Sequence, residues 1–96
     1  MNDKRYRGFL EGEGLTNKAI NSRITRANRV EREFNVDLDI LVQNQTEMII
    51  LRQRIYEKYG NKGSIPGNLY NAVTKYYKCI NGTEMERITR FMNREG

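Results

Sequence analysis

Apolar residues along this chain recur at intervals of three and four, the repeat of one face of an α-helix. Between about Asp3 and Gly12, Tyr6, Phe9 and Leu10 fall at i, i+3 and i+4, which predicts a short amphipathic helix. The longest run is Ile20, Ile24, Ala27, Val30 and Phe34; it predicts a helix through about Phe34, with Thr16 placed to cap its start. Asn35-Val36-Asp37 reads as a helix stop, and Leu38 to Val42 as a single turn that plugs the bundle. A third long helix is expected from Thr46 to Gly60, with Ile49, Ile50, Ile55 and Tyr59 facing inward.

Asn61 to Ile65 reads as a flexible loop, after which Pro66 takes a first helical position where its missing N–H does no harm. Leu69, Tyr70, Val73, Tyr76, Tyr77 and Ile80 carry the next helix to a glycine stop at Gly82. Thr83-Glu84-Met85-Glu86 has the form of a capping box and opens a last helix with Met85, Ile88 and Met92 inward. Strand signals are lacking, since no alternating β-branched run survives. The expected fold is all-α, a single compact bundle of four to five helices occupying residues 1–96 as one domain.

Composition narrows the class. A chain of 96 residues buries roughly two thirds of its unfolded surface, enough for one core without covalent staples. Apolar residues make up 38%, with a mean hydropathy of -0.82, which suits a thin bundle with a large wet surface. The lone Cys79 rules out an intramolecular disulfide and points to a reducing compartment, the cytoplasm. The opening MNDKRYRGF has no apolar stretch and no window approaches 18 apolar residues, so neither a signal peptide nor a membrane span is expected. The sequons at Asn44 and Asn81 are read as chance matches.

Histidine is absent. With one cysteine as well, a Cys/His zinc site is impossible and no Cys–His or Ser–His pair can be built. Gly60-Asn61-Lys62-Gly63-Ser64 lacks the spacing of a phosphate loop. The carboxylate pairs Glu11/Glu13 and Asp37/Asp39 read as solvated surface, and Cys79 as a small core or boundary residue. No catalysis, no cofactor and no metal are expected.

The placement of charge changes the picture most. Net charge is +5, a field that attracts polyanions. Gly14 to Val30 carries Lys18, Arg23, Arg26 and Arg29 without one acid, and Asn61 to Gly82 carries Lys62, Lys75 and Lys78, again without one. All 12 carboxylates lie elsewhere, so two helices look cationic without internal compensation. Arg23, Arg26, Arg29 and Arg32 step every three residues and spiral across the solvent side rather than forming one stripe. Both segments open with small polar residues, Asn17-Lys18 then Asn21-Ser22 in one, Asn68 then Asn71, Thr74 and Lys75 in the other. Free N–H groups at helix starts suit phosphate oxygens, and nearby Asn and Lys reach bases or backbone. Tyr70, Tyr76 and Tyr77 are not expected to point inward together, leaving one to stack or to bond a phosphate. The candidate nucleic-acid-binding set is Asn17, Lys18, Asn21, Arg23, Arg26, Asn68, Asn71, Lys75 and Lys78.

The order of features resembles the N-terminal core-binding, SAM-like domain of tyrosine recombinases and phage integrases. The matching residues are Phe9-Leu10, a polar-Gly turn, Leu15-Thr16-Asn17-Lys18-Ala19-Ile20, Arg29-Val30-Glu31 and Phe34, then Asn68 through Tyr77. That resemblance implies a bundle of four or five helices whose second and fourth helices, which hold the two acid-free segments here, lie against the DNA major groove. It makes Asn17, Lys18, Asn21, Arg23, Asn68, Asn71 and Lys75 candidate DNA contacts. The chain departs from the family in lacking the catalytic domain, and Arg23 stands where a tyrosine is usual in the second helix. The function expected first is therefore a stand-alone DNA-binding module of a phage or mobile element. The alternative is an anti-CRISPR-like phage inhibitor that docks on a host defence nuclease or its nucleic acid. A third is a helical adaptor that docks a partner through Met85, Ile88 and Met92.

Overall fold

Helix starts in this chain are set by side chains that take up the first free backbone N–H groups. In the computed structural model, which describes residues 1–85, Asn2 Oδ1 accepts from Arg5 N at 3.0 Å and opens α1 (Asp3–Gly12). Thr16 Oγ1 accepts from Ala19 N at 3.2 Å and opens α2 (Asn17–Phe34). Asp37 accepts from Asp39 N at 2.9 Å before the single turn α3 (Leu38–Leu41). Asn44 Oδ1 takes two donors, Thr46 N at 2.9 Å and Glu47 N at 3.2 Å, and so starts α4 (Gln45–Tyr59) one residue before the expected Thr46. The last described helix, α5 (Ile65–Asn81), has no side-chain cap; Pro66 in its first turn has no N–H to satisfy.

Stops follow the same economy. Asn35 ends α2 in the left-handed region at φ 52°, a conformation asparagine tolerates, and its N–H returns to Glu31 O. Gly82 ends α5 at φ 77° with its N–H on Lys78 O at 2.9 Å, the stop the sequence predicts. Gly14, at φ 83°, makes the turn between α1 and α2 possible. Gly8 is different: it lies inside α1 with an open outer side, where an added Cβ would meet nothing within 4 Å.

All the described elements are helices, and α2 and α5 form the central pair. α1 lies on both of them, α4 packs on α5, and α3 wedges against α4 and α5. The core is filled by Tyr6 and Leu10 of α1, by Ile20, Ile24, Ala27, Val30 and Phe34 of α2, and by Leu69, Ala72, Val73, Tyr76 and Tyr77 of α5. Leu38, Leu41 and Val42 are buried too, so the short turn is a plug as expected. Burial of each such aliphatic side chain contributes about 1.5–3 kcal/mol. Tyr6 and Tyr76 meet edge-on at 5.1 Å, and the Tyr6 hydroxyl donates to Ala72 O at 2.6 Å. No buried side-chain polar atom lacks a partner among the described residues.

The sequence pattern misplaces the inner face of α4. Met48, Leu51 and Ile55 are buried there, Ile49 and Tyr59 are half-buried, and Ile50 is 41% exposed. The loop before α5 is also shorter than expected, because Ile65 already belongs to the helix. The capping box at Thr83–Glu86 and the inward positions Ile88 and Met92 fall wholly or partly outside the described residues. Met85, the last residue within them, packs against the core. No described helix is long and apolar enough to cross a membrane.

Candidate nucleic-acid interface

Once Ile20, Ile24, Ala27 and Val30 are turned into the core, the opposite side of α2 is fixed by the helical repeat. Lys18, Asn21, Ser22, Thr25 and Arg26 follow one another at spacings of three and one and line a shallow groove wide open to solvent. Lys18, Asn21 and Thr25 are exposed, while Ser22 and Arg26 are half-buried. The face holds two cations, three neutral hydrogen-bonding side chains and no carboxylate. Asn17 is exposed at the first position of α2 but does not line the groove. Arg23 is half-buried and does not line it either; its charge bears on the hydroxyl of Tyr6. Burial pushes that tyrosine up and Arg23 pulls against it.

α1 adds a residue that the pattern of cationic segments does not single out. Arg7 Nη2 donates to Asn21 Oδ1 at 2.6 Å, which brings a third cation to the edge of the groove. Asp3 accepts from Asn28 Nδ2 at 3.1 Å further along the same pair of helices. The only hint in the sequence is that Arg7 follows the buried Tyr6 and so lies on the flank of α1 rather than its outer side.

On α5, Asn68, Asn71, Lys75 and Lys78 fall at i, i+3, i+7 and i+10 and share one outward line. Asn71 is exposed, and Asn68 Nδ2 makes a long contact of 3.4 Å with Ser64 Oγ. This helix has no acid of its own, as expected, but it is compensated from outside. Lys75 Nζ lies 2.8 Å from Glu13 Oε1, and Lys78 Nζ lies 3.6 Å from Glu13 Oε2 and 3.7 Å from Glu84 Oε1. The acids come from the turn before α2 and from the chain after Gly82, which counting within one helix overlooks. The hydrogen bond from Lys75 holds the Glu13 carboxyl below its ordinary value, with both lysine charges adding to it.

α2 is compensated in a similar way near its end. Arg29 Nε lies 2.7 Å from Glu33 Oε2, and its Nη2 donates to the Tyr59 hydroxyl at 3.1 Å. Tyr59 in turn donates to Glu33, and Lys58 lies 3.4 Å from the same carboxylate. The Tyr59 hydroxyl, then Arg29, draw the Glu33 carboxyl down to about 2. Arg29 is thereby tied to α4. Arg54 is committed as well, donating to Phe34 O at 3.0 Å with its guanidinium 5.4 Å from the Phe34 ring. Arg52 stacks on Tyr56 at 4.5 Å.

The hydroxyls of the α5 tyrosines make contacts within the bundle. Tyr76 donates to Asp39, Tyr77 accepts from Gln45 Nε2 at 3.3 Å, and Tyr70 donates to Met48 O at 3.4 Å. Burial pushes Tyr70 up to about 12, against the pull of Arg52. Tyr76 and Tyr77 are buried and Tyr70 is half-buried, so the three do not all point inward, though each hydroxyl has a partner within the bundle. Cys79 is half-buried with its thiol 3.8 Å from Arg5 O, and burial raises it. No group of three Cys, Asp or Glu side chains suited to a metal forms among the described residues.

The site is thus a basic and polar helix face on a small all-α bundle. Comparison with protein-family models, with curated proteins and with solved structures finds no match.

Proposed function

We propose that this chain is a non-catalytic DNA-binding module of a phage or mobile element, built in the manner of a SAM-like core-binding domain, which lays the outer face of α2 on a duplex. The observation that carries this reading is the groove face itself: Lys18, Asn21, Ser22, Thr25 and Arg26 on one side of one helix, with Arg7 at its edge and no acid among them. A helix of this kind fits a major groove about 12 Å wide. Lysine and arginine engage phosphates, and Asn21, whose Oδ1 is held by Arg7, presents its Nδ2 as a donor to the duplex. The net charge of +5 favours association with any polyanion. Lys18, Asn21 and Arg26 are the primary contacts in this reading; Asn17 and Arg23, which do not line the same face, are peripheral.

The test is fluorescence anisotropy on a duplex of about 20 base pairs across a salt series, with wild type and Lys18→Glu/Arg26→Glu. The double variant is expected to lose at least about tenfold in affinity and to flatten the log–log salt slope by about 2. Unchanged affinity in a double variant that keeps its melting temperature would falsify the assignment of α2.

A further inference from the structure

Glu13 engages two lysines of α5 at once, one with each carboxylate oxygen. Lys75 and Lys78 are one turn apart, so their ammonium groups converge on a single point outside the helix. With nothing between them, two like charges at this spacing repel. The carboxylate that separates them sits in the tight turn at Gly12–Gly14, whose backbone is held by Glu13 N on Phe9 O and Leu10 O at 3.1 Å and Gly14 N on Glu11 O at 3.0 Å. It is therefore presented by the turn rather than carried on a loose tail. Both lysines and Glu13 remain partly open to solvent, at 31%, 29% and 26% exposure.

A phosphodiester offers the same features as this carboxylate: one negative charge shared over two oxygens about as far apart. Lysine binds phosphate as a point charge and imposes little directional demand, so the exchange of one oxyanion for the other needs no rearrangement of α5. Partly exposed lysine–carboxylate pairs are weak and salt-screened, which makes the internal occupant easy to displace. We propose that Lys75 and Lys78 form a clamp for a backbone phosphate, and that Glu13 fills it as a built-in competitor until nucleic acid takes its place. The proposal rests on the DNA-binding reading. It assigns α5 a role that α2 does not share, since the α2 face has no such internal anion. Glu84, 78% exposed and 3.7 Å from Lys78, is a weaker second competitor.

The experiment uses the full chain and four variants: Glu13→Gln, Glu11→Gln, Glu13→Gln/Lys75→Gln/Lys78→Gln, and the α2 double reversal. Glu11 is exposed in the same turn region and makes no ion pair among the described residues, so its variant carries the same charge change without freeing the clamp. Duplex affinity is read by anisotropy, and pyrophosphate binding by NMR of the lysine Nζ groups. Glu13→Gln is expected to tighten duplex binding about three- to tenfold and steepen the salt slope by about 1, while Glu11→Gln gives less than twofold. The gain disappears in the triple variant, and pyrophosphate shifts Lys75 and Lys78 more in Glu13→Gln than in wild type. The clamp is overturned by a gain no larger than that of Glu11→Gln, or by one that survives loss of both lysines. Failure of the α2 reading looks different: the α2 reversal leaves affinity intact while the Glu13→Gln gain persists. If no variant binds duplex, the pyrophosphate titration decides the clamp alone, and equal shifts in wild type and Glu13→Gln overturn it.

Discussion

The α-amino group of Met1 lies 2.8 Å from Glu31 Oε2 and 3.6 Å from Asp39 Oδ2, and the same Glu31 oxygen accepts from Leu38 N at 2.9 Å. Asn2 N donates to the Tyr76 hydroxyl at 3.0 Å, and Tyr76 donates to Asp39. One small cluster thus ties the start of α1 to α2, α3 and α5. Burial opposes the charge on the amine, but the Glu31 bond and the charges of Glu31, Asp39 and Asp37 outweigh it and raise the group above its ordinary 8.0. A group raised on folding stabilises fully below its unfolded value and loses that contribution as pH climbs through the folded one. Denaturant midpoints should therefore fall as pH rises from about 8, and Glu31→Gln, already less stable at neutral pH, should fall less over the same window. Glu33 works in the opposite direction. Its carboxyl drops from 4.5 to about 2 on folding, so its contribution is present above 4.5 and is lost as pH falls towards 2. Glu33→Gln should show a shallower acid transition in the same range, followed by circular dichroism.

At the scale of elements, the helices that were legible are those whose apolar repeat is interrupted by polar residues. In α2, Ile20, Ile24, Ala27, Val30 and Phe34 are separated by charged, amide or hydroxyl side chains, so the repeat has one possible phase, and all five are buried. α4 instead carries Met48-Ile49-Ile50-Leu51 after its first three residues, four apolar residues in a row, which fix no phase at all. Packing against α5 decides it, and Met48, Leu51 and Ile55 win the inner positions. The two choices make opposite demands on mutants. Leu51→Ala should cost about 2–5 kcal/mol in a urea titration, because it empties a filled site. Ile50→Glu should cost less, about 1 kcal/mol, because that side chain is 41% exposed and lies outside the core.

Across the whole molecule, half of the candidate site was readable and half was not, for a geometric reason. The outer face of a helix follows from its inner face, so placing Ile20 and Ile24 inside also placed Lys18, Asn21 and Arg26 together outside. Contacts between helices follow from no local repeat. Arg7 reaches Asn21 across 14 residues and Lys75 reaches Glu13 across 62, and these two contacts decide which cations are available. α1 is the common partner, supplying Arg7 to the α2 groove at one side and leading into Glu13 at the other. Arg7→Ala should weaken duplex binding by a few-fold and lower the salt slope by about 1, with little change in melting temperature.

α1 holds its position on borrowed strength. It is ten residues long, below the length at which an isolated helix is stable in water, and Gly8 in its interior withholds about 0.5–1 kcal/mol more relative to alanine. Its anchors, Tyr6 and Leu10 in the core and the amine at Met1, are all tertiary. Local opening should therefore begin there: amide hydrogens of α1 exchange faster than those of α2 and α5, and Gly8→Ala, which meets no neighbour, slows them. The part of the molecule that carries Arg7 and presents Glu13 would then be the part that breathes, so the number of cations offered to a polyanion is set by a local folding equilibrium rather than by a rigid surface.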